Sequence, residues 1–101
     1  MTEKRILTSV ELVVPLDREG EISPAYRDLT AHGPRPAGLL RSELLRGQGG
    51  HWLIQTLWQD RDAIMAARAS GARPAALLLA EQVGAEHSHE VLTVEESYSP
   101  G

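Results

Sequence analysis

The chain has 101 residues, of which 42% are hydrophobic and 24% are charged, and its formal net charge is −4 at pH 7. This length and composition predict a single folded domain over residues 1–101, with a core over about 5–98. The basic residues form no stripe, so we expect no nucleic-acid partner. The absence of cysteine excludes disulfides, thiolate zinc sites, iron–sulfur clusters and cysteine nucleophiles.

Neither a membrane span nor a signal peptide is predicted. No apolar run approaches the roughly 20 residues of a span, and the first residues lack the apolar core of a signal peptide. We therefore expect a cytoplasmic protein without a membrane partner.

The first part of the chain predicts a strand, a helix and a second strand. Aliphatic and β-branched residues from Ile6 to Val14 predict the first strand, which stops at a proline. Ser23-Pro24, an N-cap followed by proline, predicts a helix from Pro24 to His32 that Gly33-Pro34 terminates. The second strand is predicted over Leu39 to Arg46.

The second part begins with a hairpin. Residues 47–50 (GQGG) are a glycine-rich turn, and His51 to Trp58 predicts the third strand. Asp60 is a good N-cap for a helix that starts at Arg61 and ends near Ser70-Gly71.

One more helical segment and one more strand complete the chain. Pro74 opens the segment, which Gly84 terminates, and Glu86 to Tyr98 predicts the fourth strand. The order strand–helix–strand–strand–helix–strand predicts an α+β, ferredoxin-like βαββαβ fold with a four-stranded antiparallel sheet.

The predicted strands carry apolar residues on both faces. In the first strand Leu7 and Val13 alternate with Ile6 and Val10, and Leu44 lies on one face of the second strand. A chain of this length has enough helix to cover only one face of the sheet. The other face is therefore predicted to meet a second copy, sheet against sheet, in a homodimer.

The stretch from Gly38 to Gly84 contains a characteristic series of features. Pro-Ala-Gly leads into the second strand, a glycine hairpin follows, the third strand ends in Trp58, and Asp60 starts the helix. Residues Arg68 to Ala76 look like a break between two helical segments. Together with the flanking strands, this series resembles the antibiotic-biosynthesis-monooxygenase-like family of dimeric α+β barrel proteins. The resemblance implies that fold and a dimer over nearly the whole chain.

Five side chains are candidate site residues: as catalytic residues Trp58, His32 and Tyr26, and as substrate-binding residues Trp52 and Arg41. A tryptophan offers a flat apolar wall and an N–H donor, a tyrosine a phenol, a histidine a base, and an arginine a cation for an anion. Each also has a structural interpretation. The tryptophans fill a core that has no phenylalanine, His32 ends a helix whose dipole stabilises the imidazolium, and Arg41 pairs with Glu43.

A metal site is not predicted. His87 and His89 point to one face of the fourth strand, but a zinc or iron site needs a third protein ligand, which the sequence does not supply nearby. The sequence also has no phosphate-cradling loop, so we expect no cofactor.

The resemblance is compatible with two classes of function. The first is a cofactor-independent monooxygenase acting on an aromatic or polyketide-like substrate in a cleft between helix and sheet. The alternative is a non-oxidative isomerase or cyclase, or a non-catalytic dimer that binds a small ligand. A haem-degrading activity fits less well, because the resemblance would call for an asparagine on the first strand and a histidine on the second long helix. The chain has no asparagine, and no histidine lies between Asp60 and Gly84.

Overall fold

The computed structural model describes residues 3–33, 35–71 and 73–101. Its strands are β1 (Ile6–Val13), β2 (Leu39–Arg46), β3 (His51–Trp58) and β4 (Glu86–Thr93). Its helices are a 3₁₀ helix (Leu16–Glu21), α1 (Ile22–His32), α2 (Arg61–Ala69) and α3 (Ala75–Val83). The strands form an antiparallel sheet in the order β2-β3-β1-β4, which confirms the predicted ferredoxin-like α+β arrangement. No helix in the described ranges has the length and apolar character needed to cross a bilayer.

Strong local sequence signals determine the bounds of the elements in the middle of the chain, and β2 and β3 have their predicted bounds. The Asp60 carboxylate accepts a hydrogen bond from the Ala63 N–H at 2.9 Å, as an N-cap should, and helix α2 follows directly. Gly84 closes α3 with a φ of +67°, the left-handed conformation that glycine adopts most readily.

Helix α1 differs from the prediction at its start. It begins at Ile22 rather than Pro24, and no side chain caps it, because the 3₁₀ helix runs straight into its first turn. Ile22 is fully buried, so its place in the core fixes that turn. The helix ends at His32, with Gly33 at its C-cap. Pro34, the other predicted terminator, lies outside the described residues, as does Ala72 in the predicted break between α2 and α3.

The first and last strands are shorter than predicted. Strand β4 ends at Thr93 instead of Tyr98, because Thr93 pairs with Ile6, the first residue of β1. One further hydrogen bond, from the Val94 N–H to the Arg5 carbonyl at 2.9 Å, extends the pairing. Strand β1 ends at Val13, one residue before its predicted end.

The helices cover one face of the sheet, which we call the inner face. It carries the core, in which Leu12 and Ile54 pack against Ile22 of α1 and Leu79 and Val83 of α3. Burying aliphatic side chains of this size is the main stabilising contribution in such a domain. The core thus lies between α1, α3 and the two central strands.

The opposite, outer face carries an apolar band that none of the described helices covers. Strand register places Leu7 of β1 directly between Leu57 of β3 and Leu92 of β4. A polar row follows, in which Ser9 lies between Gln55 and Glu90. Leu92 is 44% exposed. The two-sided apolar pattern predicted from the sequence is therefore present, and the dimer inferred from it stays a prediction.

Candidate functional site

The five predicted site residues do not form a single group. Tyr26 and Trp58 both belong to one group of polar side chains between helix α1 and the inner face. Trp52 lies near the other end of β3, while His32 and Arg41 are exposed. The structure therefore brings together two of the five.

Three hydroxyl residues lie side by side across the inner face. Thr8 of β1 is opposite Thr56 of β3, and Thr56 is in turn opposite Ser42 of β2. We call these three residues the hydroxyl row. All three are half-buried, and side chains directly opposite each other on one face of a sheet are close enough to interact.

Tyr26 joins α1 to one end of this row. Its phenol donates a hydrogen bond to the Ser42 Oγ at 2.8 Å, and the Thr56 Oγ1 lies 3.5 Å from the same oxygen. Leu29, one turn further along α1, packs with Tyr26 against the core and holds this face of the helix on the sheet.

Trp58 is held at the other end of the row. Its indole N–H donates to the Thr8 Oγ1 at 3.0 Å, and the Thr8 hydroxyl in turn donates to the Thr56 carbonyl at 3.4 Å. An indole has a single N–H donor, and here it is used within the protein. In this structure Trp58 can therefore offer a ligand its flat face, while its donor is engaged.

We call the hydroxyl row with Tyr26 and Trp58 the site cluster. None of its members carries a formal charge, and the buried Ile6 is opposite Trp58 in the strand register. A site of this kind suits an uncharged, flat and mainly apolar molecule with a small number of hydrogen-bonding oxygens.

Sequence analysis missed the three members of the hydroxyl row, although a signal for them exists. Thr8 stands between Ile6 and Val10 in the alternating pattern of β1, and Thr56 stands between Ile54 and Trp58 in β3. A polar side chain at an inward position of a strand needs a partner, so these positions could have been marked as polar sites within the core.

Trp52 belongs to a different cluster. Its side chain is 6% exposed, and its indole N–H donates to the Glu19 Oε2 at 2.9 Å. The Arg46 guanidinium lies 5.2 Å from the centre of the indole ring and 3.5 Å from the same carboxylate. Since six residues of strand span about 20 Å, Trp52 and Trp58 do not line one pocket. Trp52 shares the inner face with Trp58, as predicted, but its contacts match the core interpretation.

Among the described residues, neither the His32 nor the Arg41 side chain makes a hydrogen bond or ion pair with the site cluster. The His32 Nδ1 lies 3.2 Å from the Asp28 Oδ1, and the imidazole is largely exposed. The Arg41 Nε lies 3.3 Å from the Glu43 Oε1, and Arg41 is opposite Leu57 on the outer face. The predicted pairing of Arg41 with Glu43 is confirmed, while the substrate roles of His32 and Arg41 stay predictions.

His87 and His89 both lie exposed on β4. Within residues 3–33, 35–71 and 73–101, no group of three or more histidine, aspartate or glutamate side chains could hold a metal ion.

Two surface depressions of the described chain lie away from the site cluster. One, of about 440 Å³, is lined by Glu3, Arg5, Leu40, Gln59 and Asp60, beyond the end of β3. The other, of about 110 Å³, lies against Ser9, Glu11, Leu53, Ser88, His89 and Glu90. Neither is the predicted cleft between helix and sheet, since Tyr26 reaches across that gap to Ser42.

The chain is similar to known proteins in its three-dimensional structure. Neither a protein-family model nor a curated protein sequence matches the chain. A point variant of SnoaB, a cofactor-independent oxygenase from Streptomyces nogalater, matches with a TM-score of 0.71 at 20% identity, over 93% of this chain and 96% of that chain.

Two further structures show the range of functions among similar folds. A "putative antibiotic biosynthesis monooxygenase" from Caulobacter crescentus has a TM-score of 0.70 at 20% identity, over 93% of this chain and 92% of that chain. A haem-degrading protein from Mycobacterium tuberculosis has a TM-score of 0.71 at 18% identity, over 97% of this chain and 99% of that chain. A fold alone does not define an activity. The chain has the fold of the antibiotic biosynthesis monooxygenase-like proteins.

Proposed function

We propose that this protein is a cofactor-independent monooxygenase that acts on a flat aromatic substrate held between α1 and the inner face of the sheet. The observation that carries the proposal is the site cluster, in which uncharged hydroxyls and an indole converge beside the buried core. The shared fold with SnoaB supports the same reaction class. The proposal follows from the chemistry of these groups, because they can hold a neutral aromatic molecule and donate to an anion formed from it.

The reaction we propose needs only the substrate and dioxygen. An anthrone-like substrate loses a proton from its CH₂ group and becomes an enolate. The enolate transfers one electron to dioxygen, and the resulting radical and superoxide combine to form a carbon-bound peroxide anion. This anion takes up the proton removed in the first step and becomes a hydroperoxide. Loss of water then leaves a ketone, so that R₂CH₂ + O₂ gives R₂C=O + H₂O. The two C–H bonds supply the four electrons that reduce dioxygen.

The proposed roles follow the positions of the side chains. Hydroxyl donors at Ser42 and Thr56 stabilise the developing enolate oxygen, and the Trp58 ring forms a wall against the aromatic body. The Tyr26 phenol, which donates to the Ser42 Oγ, positions that hydroxyl. The substrate proton passes to a base outside the site cluster, for which His32, further along α1, is the predicted residue.

We also propose that two copies of the chain pair through their outer faces. The apolar band of Leu7, Leu57 and Leu92 is uncovered in the single chain, and a stable dimer typically buries about 800 Å² on each partner. Pairing through this face leaves the helices and the site cluster of each copy on the outside of the dimer.

The alternative is a non-oxidative isomerase, a cyclase or a ligand-binding protein that uses the same site cluster. Both classes begin with the removal of a substrate proton by a base, and no member of the site cluster is such a base, so proton transfer does not distinguish them. Oxygen uptake separates the two classes.

We expect the protein to consume dioxygen with anthrone faster than the same protein after heat denaturation. Trp58→Phe keeps an aromatic wall but reduces its area, so the fold should persist while kcat/KM falls about tenfold, equivalent to about 1.4 kcal/mol. Oxygen-electrode rates of the intact and variant proteins test this expectation.

Trp52→Phe is the matched control, since it removes the same indole N–H about 20 Å away along β3. It should lower stability through the lost bond to Glu19 while leaving kcat/KM of the folded protein within about twofold. An equal loss in both variants would show that Trp58 acts through packing, and no uptake above the denatured control would reject the oxygenase.

A further inference from the structure

We propose that His87 and His89 together bind one divalent transition-metal ion, Cu(II) above all, on the inner face of strand β4. The two imidazoles hold the ion, and water fills its remaining positions. The ion is an exchangeable surface ligand and not a cofactor of the proposed oxygenase. The inference is independent of the proposed function, since it uses no residue of the site cluster.

The strand register places both imidazoles on one face of the sheet. His87 is directly opposite Leu12, and His89 is directly opposite Val10. Leu12 and Val10 are buried in the core on the inner face, so both histidines lie on that face. Two residues of strand span about 6.6 Å, and over this distance one nitrogen of each imidazole can reach a shared ion at about 2 Å.

The four histidines of the chain fall into two kinds. His32 and His51 each have a ring nitrogen close to a carboxylate oxygen, at 3.2 Å and 3.3 Å respectively. Within the described ranges, His87 and His89 make no hydrogen bond or ion pair, and β4 is exposed along its whole length. Their neutral imidazoles therefore have lone pairs available for a metal ion.

The surroundings of the histidine pair determine which ions it accepts. Arg73 donates hydrogen bonds to both carboxylate oxygens of Glu81 on α3 and so lowers the pKa of that carboxyl, and the neighbouring His87 lowers it further. Glu81 is thus engaged by Arg73, and no third histidine, aspartate or glutamate of the described chain completes a metal-binding group. Two nitrogen ligands with water suit the tetragonal coordination of Cu(II) and Ni(II).

Calorimetric titration of the full chain with Cu(II) tests this inference, at about pH 7.5, where a free histidine side chain is mostly neutral. We expect one Cu(II) per chain, bound more tightly than Ni(II), and Ni(II) more tightly than Mn(II). His87→Gln and His89→Gln should each weaken Cu(II) binding about tenfold or more, because the advantage of two linked ligands is lost. Both side chains are exposed, so the variants should keep the fold.

Two control variants separate chelation from the mere presence of histidine. His89→Gln/Val91→His keeps two imidazoles on the inner face of β4 but places them about 13 Å apart, which is too far for one ion. It should bind Cu(II) as weakly as His89→Gln alone. His32→Gln/His51→Gln removes two histidines elsewhere in the chain and should change neither the affinity nor the stoichiometry of Cu(II) binding.

Electron paramagnetic resonance of the Cu(II) complex gives a second readout. We expect coupling to two imidazole nitrogens in the intact chain and to one in each single variant. The inference would be overturned by an intact chain that binds no Cu(II), by single variants or a relocated-histidine variant with full affinity, or by coupling to a single imidazole in the intact chain. None of these measurements involves dioxygen, so the metal site and the oxygenase can each fail alone.

Discussion

Replacement of Leu7 by glutamate is expected to convert a dimer into a monomer of 11.0 kDa. Leu7 lies at the centre of the apolar band, directly between Leu57 and Leu92. In a face-to-face dimer the new carboxylate would be buried without a partner, which costs several kcal/mol per charge. Since 1.4 kcal/mol is a tenfold change, we expect the dissociation constant to rise at least about 100-fold. Analytical ultracentrifugation at micromolar concentration measures it.

Leu16→Glu is the control for this substitution, because Leu16 is 69% exposed in the 3₁₀ helix, outside the sheet. It should leave the dimer intact. Leu44, which lies on one face of the second strand, packs against the core on the inner face. A charge at Leu44 should unfold the chain instead. A wild-type protein that sediments only at 11.0 kDa would reject the dimer.

Gly38→Ala should be among the most destabilising single substitutions outside the core. Gly38 has a φ of +86°, and an added Cβ would lie 2.5 Å from the Ala63 Cβ of α2. Its carbonyl also accepts from the Gln59 N–H at 2.8 Å, so the loop cannot move freely. The left-handed backbone costs about 1–2 kcal/mol for alanine, and the overlap adds about 1–3 kcal/mol. We therefore expect a loss of about 2–5 kcal/mol in the free energy of unfolding, measured by urea denaturation.

Gly49→Ala separates the cost of the left-handed backbone from the cost of the steric overlap. Gly49 has a φ of +66°, but nothing lies within 4 Å of an added Cβ, so only the backbone cost of about 1–2 kcal/mol should appear. The double variant Gly38→Ala/Ala63→Gly should recover the packing part of the loss. Equal destabilisation by Gly38→Ala and Gly49→Ala would show that the contact between Gly38 and α2 is unimportant.

Local signals predicted the elements whose bounds depend on nearby residues. The glycine hairpin between β2 and β3 and the Asp60 cap of α2 are examples, since turns and caps are encoded within a few residues. Where a bound depends on a distant partner, the prediction was wrong. Strand β4 ends where β1 begins, and α1 starts early because Ile22 is needed in the core.

The candidate site was predicted only in part, because distant parts of the chain come together to form it. Alternation correctly placed Trp52 and Trp58 on one face, but their separation along β3 keeps them in different clusters. The hydroxyl row could not be assembled without the register, since Thr8, Ser42 and Thr56 come from three strands far apart in the sequence. The contact of Tyr26 with Ser42 further requires the packing of α1 on the sheet, which no local pattern specifies.

Isotope labelling tests the oxygenase proposal most directly. Anthrone is incubated with the protein under ¹⁸O₂ in unlabelled water, and the anthraquinone product is analysed by mass spectrometry against a control with denatured protein. The proposed reaction predicts one ¹⁸O atom in each product molecule, formed in excess of the control, with the second oxygen atom released as water. Product whose new oxygen comes from water, or no product beyond the control, would contradict the proposed monooxygenase.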